Sequence, residues 1–194
     1  MNVFFTADTH FQHERIIRFC SRPFTSAKEM DAALFNNWNA VVRPNDVVYH
    51  LGDVVFGDVE RALPLLRGLM GKKYLIPGNH DTPKTLTLLD GIFEILPLLT
   101  EISTPPGSRK ARETVRPVTL CHYAMEVWNR SHRGAVMLHG HTHGRLPENS
   151  QRLDVGVDCW GFFPVLLKDV LARLRALPEY TSQGKGKEEW DGSR

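Results

Sequence analysis

Short apolar runs, each ended by a cluster of Asp, Asn or His, alternate along the first half of this chain with stretches of helical periodicity. Val3 to Ala7 is the kind of run that a buried strand shows, and Asp46 to Leu51 and Lys73 to Ile76 repeat it. Ser26-Ala-Lys-Glu29 resembles a capping box and predicts a helix through about Val42. A second helix is expected from Asp58 to Leu69, with Pro64 kinking or splitting it, and a short one from Pro83 to Leu89. The rhythm then changes. Phe93 to Ile102 and Thr114 to Cys121 read as two strands of an antiparallel hairpin around the turn-rich segment 105–112, and Ala135 to His139 and Leu153 to Asp158 add strands. Leu166 to Leu177 is helical in spacing. Strand-helix-strand units build parallel sheets and consecutive hairpins extend a sheet antiparallel, so the pattern predicts an α/β fold with two mixed sheets.

At 194 residues the chain fits one domain, expected over 1–180, with 181–194 as a flexible C-terminal tail. A net charge of +2, with 42% hydrophobic and 24% charged residues, advertises neither a nucleic-acid nor a membrane partner. Cys20, Cys121 and Cys159 are an odd set of three without a Cys-Xaa-Xaa-Cys spacing, which argues against a disulfide framework and against a thiolate zinc site. The first strand starts almost at Met1 and no apolar stretch is long enough to span a bilayer, so a cytoplasmic location without a cleavable leader is expected.

The polar clusters carry the chemistry. Asp8 and His10 flank Thr9, and His141 and His143 flank Thr142; in an extended segment each pair would face one way and could address one metal. Carboxylate oxygen with imidazole nitrogen suits a borderline divalent ion such as Mn, Fe, Co, Ni or Zn. Asp53, after Gly52, is the carboxylate expected to bridge, because its two oxygens can hold two cations about 3.5–4 Å apart. Asn79 adds a neutral amide oxygen.

Taken together, Asp8-Xaa-His10, Gly52-Asp53, Gly78-Asn-His-Asp81, His122 and Gly140-His-Xaa-His143 resemble the motif set of the calcineurin-like metallophosphoesterases, over residues 8 to 143. The segments 121–133 and 158–164 are similar to a small bacterial and phage branch of that family, although Ala124 stands where Pro is common. The resemblance implies a four-layer sandwich of two mixed β-sheets flanked by helices. It implies one metal held by Asp8, His10, Asp53 and His143 and a second by Asp53, Asn79, His122 and His141, with Mn favoured. It also implies that a hydroxide between the metals attacks phosphorus, that His80 donates a proton to the leaving oxygen, and that Asp81 positions His80. The Asp-Arg-Gly of the protein Ser/Thr phosphatases is missing after Gly52-Asp53, which weighs against a phosphoprotein substrate.

The expected activity is hydrolysis of a small phosphodiester or phosphomonoester, nucleotide-derived compounds included, at a fairly open site. Arg130, His132 and Arg133, in the loop after His122, and His13 are the candidate substrate contacts. His50 is expected as a hydrogen-bonded strand residue, and His139 either orients a ligand or sits in the core. Trp128, Trp160, Phe162 and Phe163 could stack a base but suit a core better. Arg109, Lys110, Arg112 and Arg116 read as a wet hairpin tip. Two other classes stay open: a non-catalytic, metal-holding interaction module, and a nuclease.

Overall fold

The computed structural model describes residues 1–103 and 117–181; the hairpin tip and the 182–194 tail lie outside the described residues. In chain order, the first part holds β1 (Val3–Thr6), α1 (Glu14–Phe19), α2 (Ala27–Val41), β2 (Val47–His50), α3 (Val59–Arg67), β3 (Lys72–Leu75), α4 (Pro83–Leu89) and β4 (Glu94–Ile95). The second holds β5 (Leu99–Ser103), β6 (Pro117–Cys121), β7 (Val136–His139), β8 (Arg152–Asp154), β9 (Val165–Leu166) and α5 (Leu167–Ala176).

Two mixed sheets result, one in the order β4-β3-β2-β1-β9 and one in the order β5-β6-β7-β8. In the first, β1 to β4 run parallel and β9 closes antiparallel on β1. In the second, β5 and β6 pair antiparallel, with Leu99 opposite Cys121 and Ser103 opposite Pro117, as the hairpin pattern predicts. β6, β7 and β8 are parallel, however, where consecutive strands were expected to alternate. The 122–135 and 140–151 connections are long enough to return the chain to the starting end of the sheet without a helix.

Alternation along the strands divides the apolar residues between two cores. Phe4, Val48 and Leu75 pack with Met30, Leu34 and Trp38 of α2 and with Ala62 and Leu66 of α3. Phe5, Ala7, Leu51 and Ile76 face the opposite way and meet Val118, Leu120, Val136, Leu138 and Leu153 of the second sheet, with Val170 and Leu174 of α5 closing that layer. Each fully buried Val, Leu, Ile, Phe or Met among them contributes about 1.5–3 kcal/mol by leaving water. The outer face of the second sheet is covered by Trp128 and Tyr180 over Met137, a thin fourth layer made by loops.

Ser26 caps α2 as expected, its hydroxyl accepting from the Glu29 N–H at 3.2 Å. Pro64 does not split α3: Glu60 and Pro64 are both exposed, so water can serve the carbonyl that proline cannot bond. The run from Phe93 to Ile102 breaks at Pro97 into β4 and β5, which join different sheets. Of the run from Leu153, β8 takes only Leu153 and Asp154; Gly156 still bridges Ala7 before a 3-10 turn forms at Val157–Cys159. β9 was not visible in the pattern. Among the described residues, no helix is long and apolar enough to cross a membrane.

Candidate metal centre

Because β1, β2 and β3 are parallel, as are β6 and β7, their carboxyl ends share one rim, and Asp8, Asp53, Asn79, His122 and His141 follow those ends. Backbone bonds clamp the emerging loops together. The Asp8 N–H donates to Gly52 O at 3.0 Å, His10 N–H to Asp53 O at 3.0 Å, and Gly140 N–H to His122 O at 3.1 Å.

The paired ligands are not extended, which corrects the strand-parity expectation. Asp8 (φ 56°), His10 (φ 48°), Asp53 (φ 59°), His141 (φ 67°) and His143 (φ 49°) all sit in the left-handed region. Asp and His enter this region more easily than most residues, yet it remains sparsely populated, and such strain gathers at functional sites. Gly52 (φ +90°) and Gly78 let the turns approach each other. A Cβ on Gly52 would lie 2.5 Å from Gly78 N and 2.7 Å from His122 Nδ1, and one on Gly78 would strike the Asp53 carboxylate.

Among the described residues, three groups of potential ligand atoms form, each with its atoms within 4.8 Å of one another: Cys20 with His143 and Asp158, where Arg22 already holds the carboxylate, and the two groups considered as metal sites, Asp8 with His10 and His143, and Asp53 with His122 and His141. Asp53 lies between them. Its Oδ2 is 3.6 Å from His10 Nε2 and 3.6 Å from His122 Nε2, and its Oδ1 accepts the His80 N–H at 2.9 Å. Asn79 Oδ1 lies 2.9 Å from His122 Nε2.

The donor set fits divalent cations. His122 Nδ1 is 2.7 Å from the Leu51 carbonyl, which can only accept, so Nδ1 donates there and Nε2 is turned to Asn79 Oδ1 and Asp53 Oδ2, a cluster of atoms suited to a cation. Among the described residues, neither ring nitrogen of buried His10 has a hydrogen-bond partner. Burial, reinforced by the charges of Arg22 and His143, pushes its pKa far down, so the imidazole is neutral and available as a ligand. Burial, with Asp154 and Asp53 nearby, raises Asp8 well above the usual carboxylate range despite His143. A cation in the cleft would relieve that cost.

Three residues that sequence reasoning missed hold the ligand loops. Asp158 accepts from His143 Nδ1 at 2.7 Å, which orients that ring. Asp158 in turn takes Arg22 Nε and Nη2, each at 2.8 Å. The buried Arg22 guanidinium also donates to Asp8 O at 2.7 Å and Thr9 O at 3.1 Å, so it ties the first ligand loop to the partner of the last ligand. Burial alone would raise Asp158, but the bonds from His143 and Arg22 hold it below the usual range. Burial alone would lower His143, but the bonds with Asp158 and Cys20 push it up to about 10. Asp154 accepts from Thr142 Oγ1 at 2.5 Å, Gly144 N at 3.0 Å and Gly156 N at 2.7 Å. No local pattern marks Arg22 or Asp158, whose pairing spans 136 positions.

His80 stands at the mouth of the site, its side chain 38% exposed and Nε2 3.9 Å from Asp53 Oδ2. Asp81 does not touch that imidazole. It accepts from the backbone N–H groups of Asp53 at 2.7 Å, Gly78 at 2.8 Å and Val54 at 3.1 Å, and so braces two ligand turns. Burial raises its pKa against those bonds. His13 precedes α1, buried, with its ring 5.3 Å from His10 and stacked on Phe56 at 3.8 Å.

Arg130, His132 and Arg133 are exposed, but they flank the start of β7 rather than its end: Arg130 O accepts from Ala135 N, and Gln151, just before β8, donates to Ser131 O and Ala135 O. The loop must run the length of the sheet because β6 and β7 are parallel, so these residues lie opposite the ligand rim, and their expected substrate contact is corrected. Tyr123 is the loop residue beside the site, its ring 5.2 Å from His122 and 4.9 Å from His141. His50 is a core residue bonded to Thr9 Oγ1 at 3.0 Å, and His139 Nδ1 faces Gly140 O at 2.9 Å. Trp128 fills the outer layer, Phe162 packs on Phe24, and Trp160 lies under Arg173.

A profile of the calcineurin-like phosphoesterase family matches residues 1–151. An uncharacterized protein of Methanocaldococcus jannaschii is 44% identical over 81 residues, 41% of this chain and 46% of that protein, so the match spans less than half of the relative's own length. The Gene 66 protein of Mycobacterium phage L5 is 29% identical over 185 residues, covering 82% of this chain and 88% of the phage protein. A solved structure of a protein of unknown function from Aquifex aeolicus shares the fold, with a TM-score of 0.65, 23% identity and coverage of 87% of this chain and 97% of that one.

Proposed function

We propose that this chain, which belongs to the calcineurin-like phosphoesterase family, is a two-metal phosphodiesterase acting on small esters. The observation that carries the reading is Asp53 Oδ2, which lies 3.6 Å from a histidine nitrogen of each ligand group. Asp8, His10 and His143 would hold one divalent ion and Asn79, His122 and His141 the other, with Asp53 common to both. Manganese is the favoured ion. When bound, such ions lower the pKa of water toward about 7 and offset the charge that gathers on phosphoryl oxygens.

The chain's own groups supply the rest. Leu51 O and Asp158 hold the Nδ1 of His122 and of His143 respectively, so both rings are oriented through Nδ1 and would ligate a metal through Nε2. His80, half-buried beside Asp53, is positioned to give a proton to the departing oxygen. Asp81 fixes the turn that carries His80 rather than its ring.

Purified protein stripped of metal and reloaded with Mn should hydrolyse bis(p-nitrophenyl) phosphate, release being followed as coloured phenolate. Manganese-dependent turnover supports the reading; no turnover with Mn, Fe, Co, Ni or Zn on mono- and diesters alike rejects it.

A further inference from the structure

A cavity of about 530 Å³ lies against His80. Asn79, a candidate metal ligand, and His80 line it together with Phe56, Asp58, Glu60 and Lys84, the last at the start of α4. Its size falls within the range of about 300–1,000 Å³ typical of pockets that enclose a drug-sized ligand, whereas a phosphate alone would leave it empty. Phe56 is held as a wall: one face stacks on His13 at 3.8 Å and 16°, and its ring and that of His80 are nearly perpendicular, at 5.1 Å and 76°.

His80 therefore belongs to two spaces, since its Nε2 lies 3.9 Å from Asp53 Oδ2 and the residue also lines the cavity. Resting on the phosphodiesterase reading above, we propose that the cavity is the subsite for the leaving arm of the ester, and that this arm is an uncharged, ring-bearing alcohol of nucleoside size. An oxygen that takes a proton from His80 must lie on the His80 side of phosphorus, and the group it carries then extends into this space. Phe56 offers a face for a base or another flat ring. Asp58 and Glu60 offer acceptors for hydroxyl or amino donors, and with only Lys84 as a cation among the named lining groups they repel an arm that carries its own phosphate. In the reaction, water adds to phosphorus and the bond from phosphorus to the arm oxygen breaks with its electron pair on that oxygen. The His80 proton passes to the oxygen, and the proton lost by water returns His80 to its starting form through solvent. The products are the free alcohol and a phosphomonoester.

Adenosine 5′-(methyl phosphate) distinguishes the arms, because its two alkoxides leave with similar ease. The Mn-loaded enzyme should release adenosine and methyl phosphate at least tenfold over AMP and methanol, and Phe56→Ala should bring that ratio toward one. A majority of AMP and methanol, or a ratio untouched by Phe56→Ala, overturns the subsite while leaving the phosphodiesterase reading intact. Adenosine itself, titrated by NMR against the Mn-loaded protein, tests the cavity without turnover. Binding weakened tenfold by Phe56→Ala supports the proposal even if no ester is cleaved, and absence of binding refutes it.

Discussion

Asp158→Asn should separate the holding of a metal ligand from the holding of the fold. In the native protein the carboxylate accepts His143 Nδ1 at 2.7 Å and two Arg22 nitrogens at 2.8 Å, with side-chain exposures of 9% for Asp158 and 0% for Arg22. An amide of the same shape keeps one acceptor but turns N–H donors toward groups that themselves donate. Loss of an outer partner of a metal-bound histidine typically costs about 10–100-fold in metal affinity, roughly 1.4–2.8 kcal/mol. Leaving a buried guanidinium without its counter-charge costs about 3–5 kcal/mol of folding stability, and the low exposure leaves little solvent screening to reduce it. Calorimetric titration of metal-free protein with Mn should therefore show the Asp8–His10–His143 site weakened and the Asp53–His122–His141 site retained. A companion change of Arg22→Met in the same background should recover part of the stability without recovering the affinity, since it removes the stranded charge but not the need to orient His143. Two Mn ions bound by Asp158→Asn as tightly as by wild type would refute the reasoning.

Replacing His80 by Ala should lower turnover of an alkyl diester by about 10²–10⁴-fold with metal content preserved; a loss of bound metal equal to the loss of rate would show that His80 holds the site rather than serving the leaving group. Gly52→Ala places a Cβ 2.5 Å from Gly78 N at a φ of +90°, so thermal denaturation should show a loss of about 2–4 kcal/mol together with weaker metal retention, and an unchanged midpoint would contradict the close approach. Burial, with a smaller effect of His122, depresses His50 to about 3. Its neutral form is the one that folds, so its share of stability is fully present above the ordinary imidazole pKa of about 6.5 and is lost as pH falls from there toward 3, by up to about 1.4 kcal/mol per pH unit. Urea unfolding of the metal-free protein between pH 7 and 5 should be steeper in pH for wild type than for His50→Gln, and parallel profiles would remove His50 from this role.

Much of this molecule was readable before any coordinates. The Ser26–Glu29 cap fixed the start of α2, Pro83 marked the start of α4, and the polar clusters after the apolar runs named the ligand candidates that the rim then gathers. The failures share a cause, namely that periodicity reports a strand but not its direction or its sheet. Pro97 divides one apolar run between two sheets, and the parallel pairing of β6 with β7 carries Arg130, His132 and Arg133 away from the ligands that precede them in sequence. Left-handed turns at Asp8, His10, His141 and His143 were equally hidden, because Asp-Xaa-His reads the same whether extended or coiled. Arg22 with Asp158, and Asp81 with the Asp53 backbone, are pairings over long sequence distance that only the closed fold brings together.

The central claim is that Asp53 is shared by two neighbouring ions. Electron paramagnetic resonance of the metal-free protein titrated with Mn(II) tests it most directly, alongside elemental analysis. Two ions per chain with the multiline spectrum of a spin-coupled pair, lost in Asp53→Ala, is the result expected. A single ion per chain, or two that remain magnetically isolated and bind equally well to Asp53→Ala, would contradict the account.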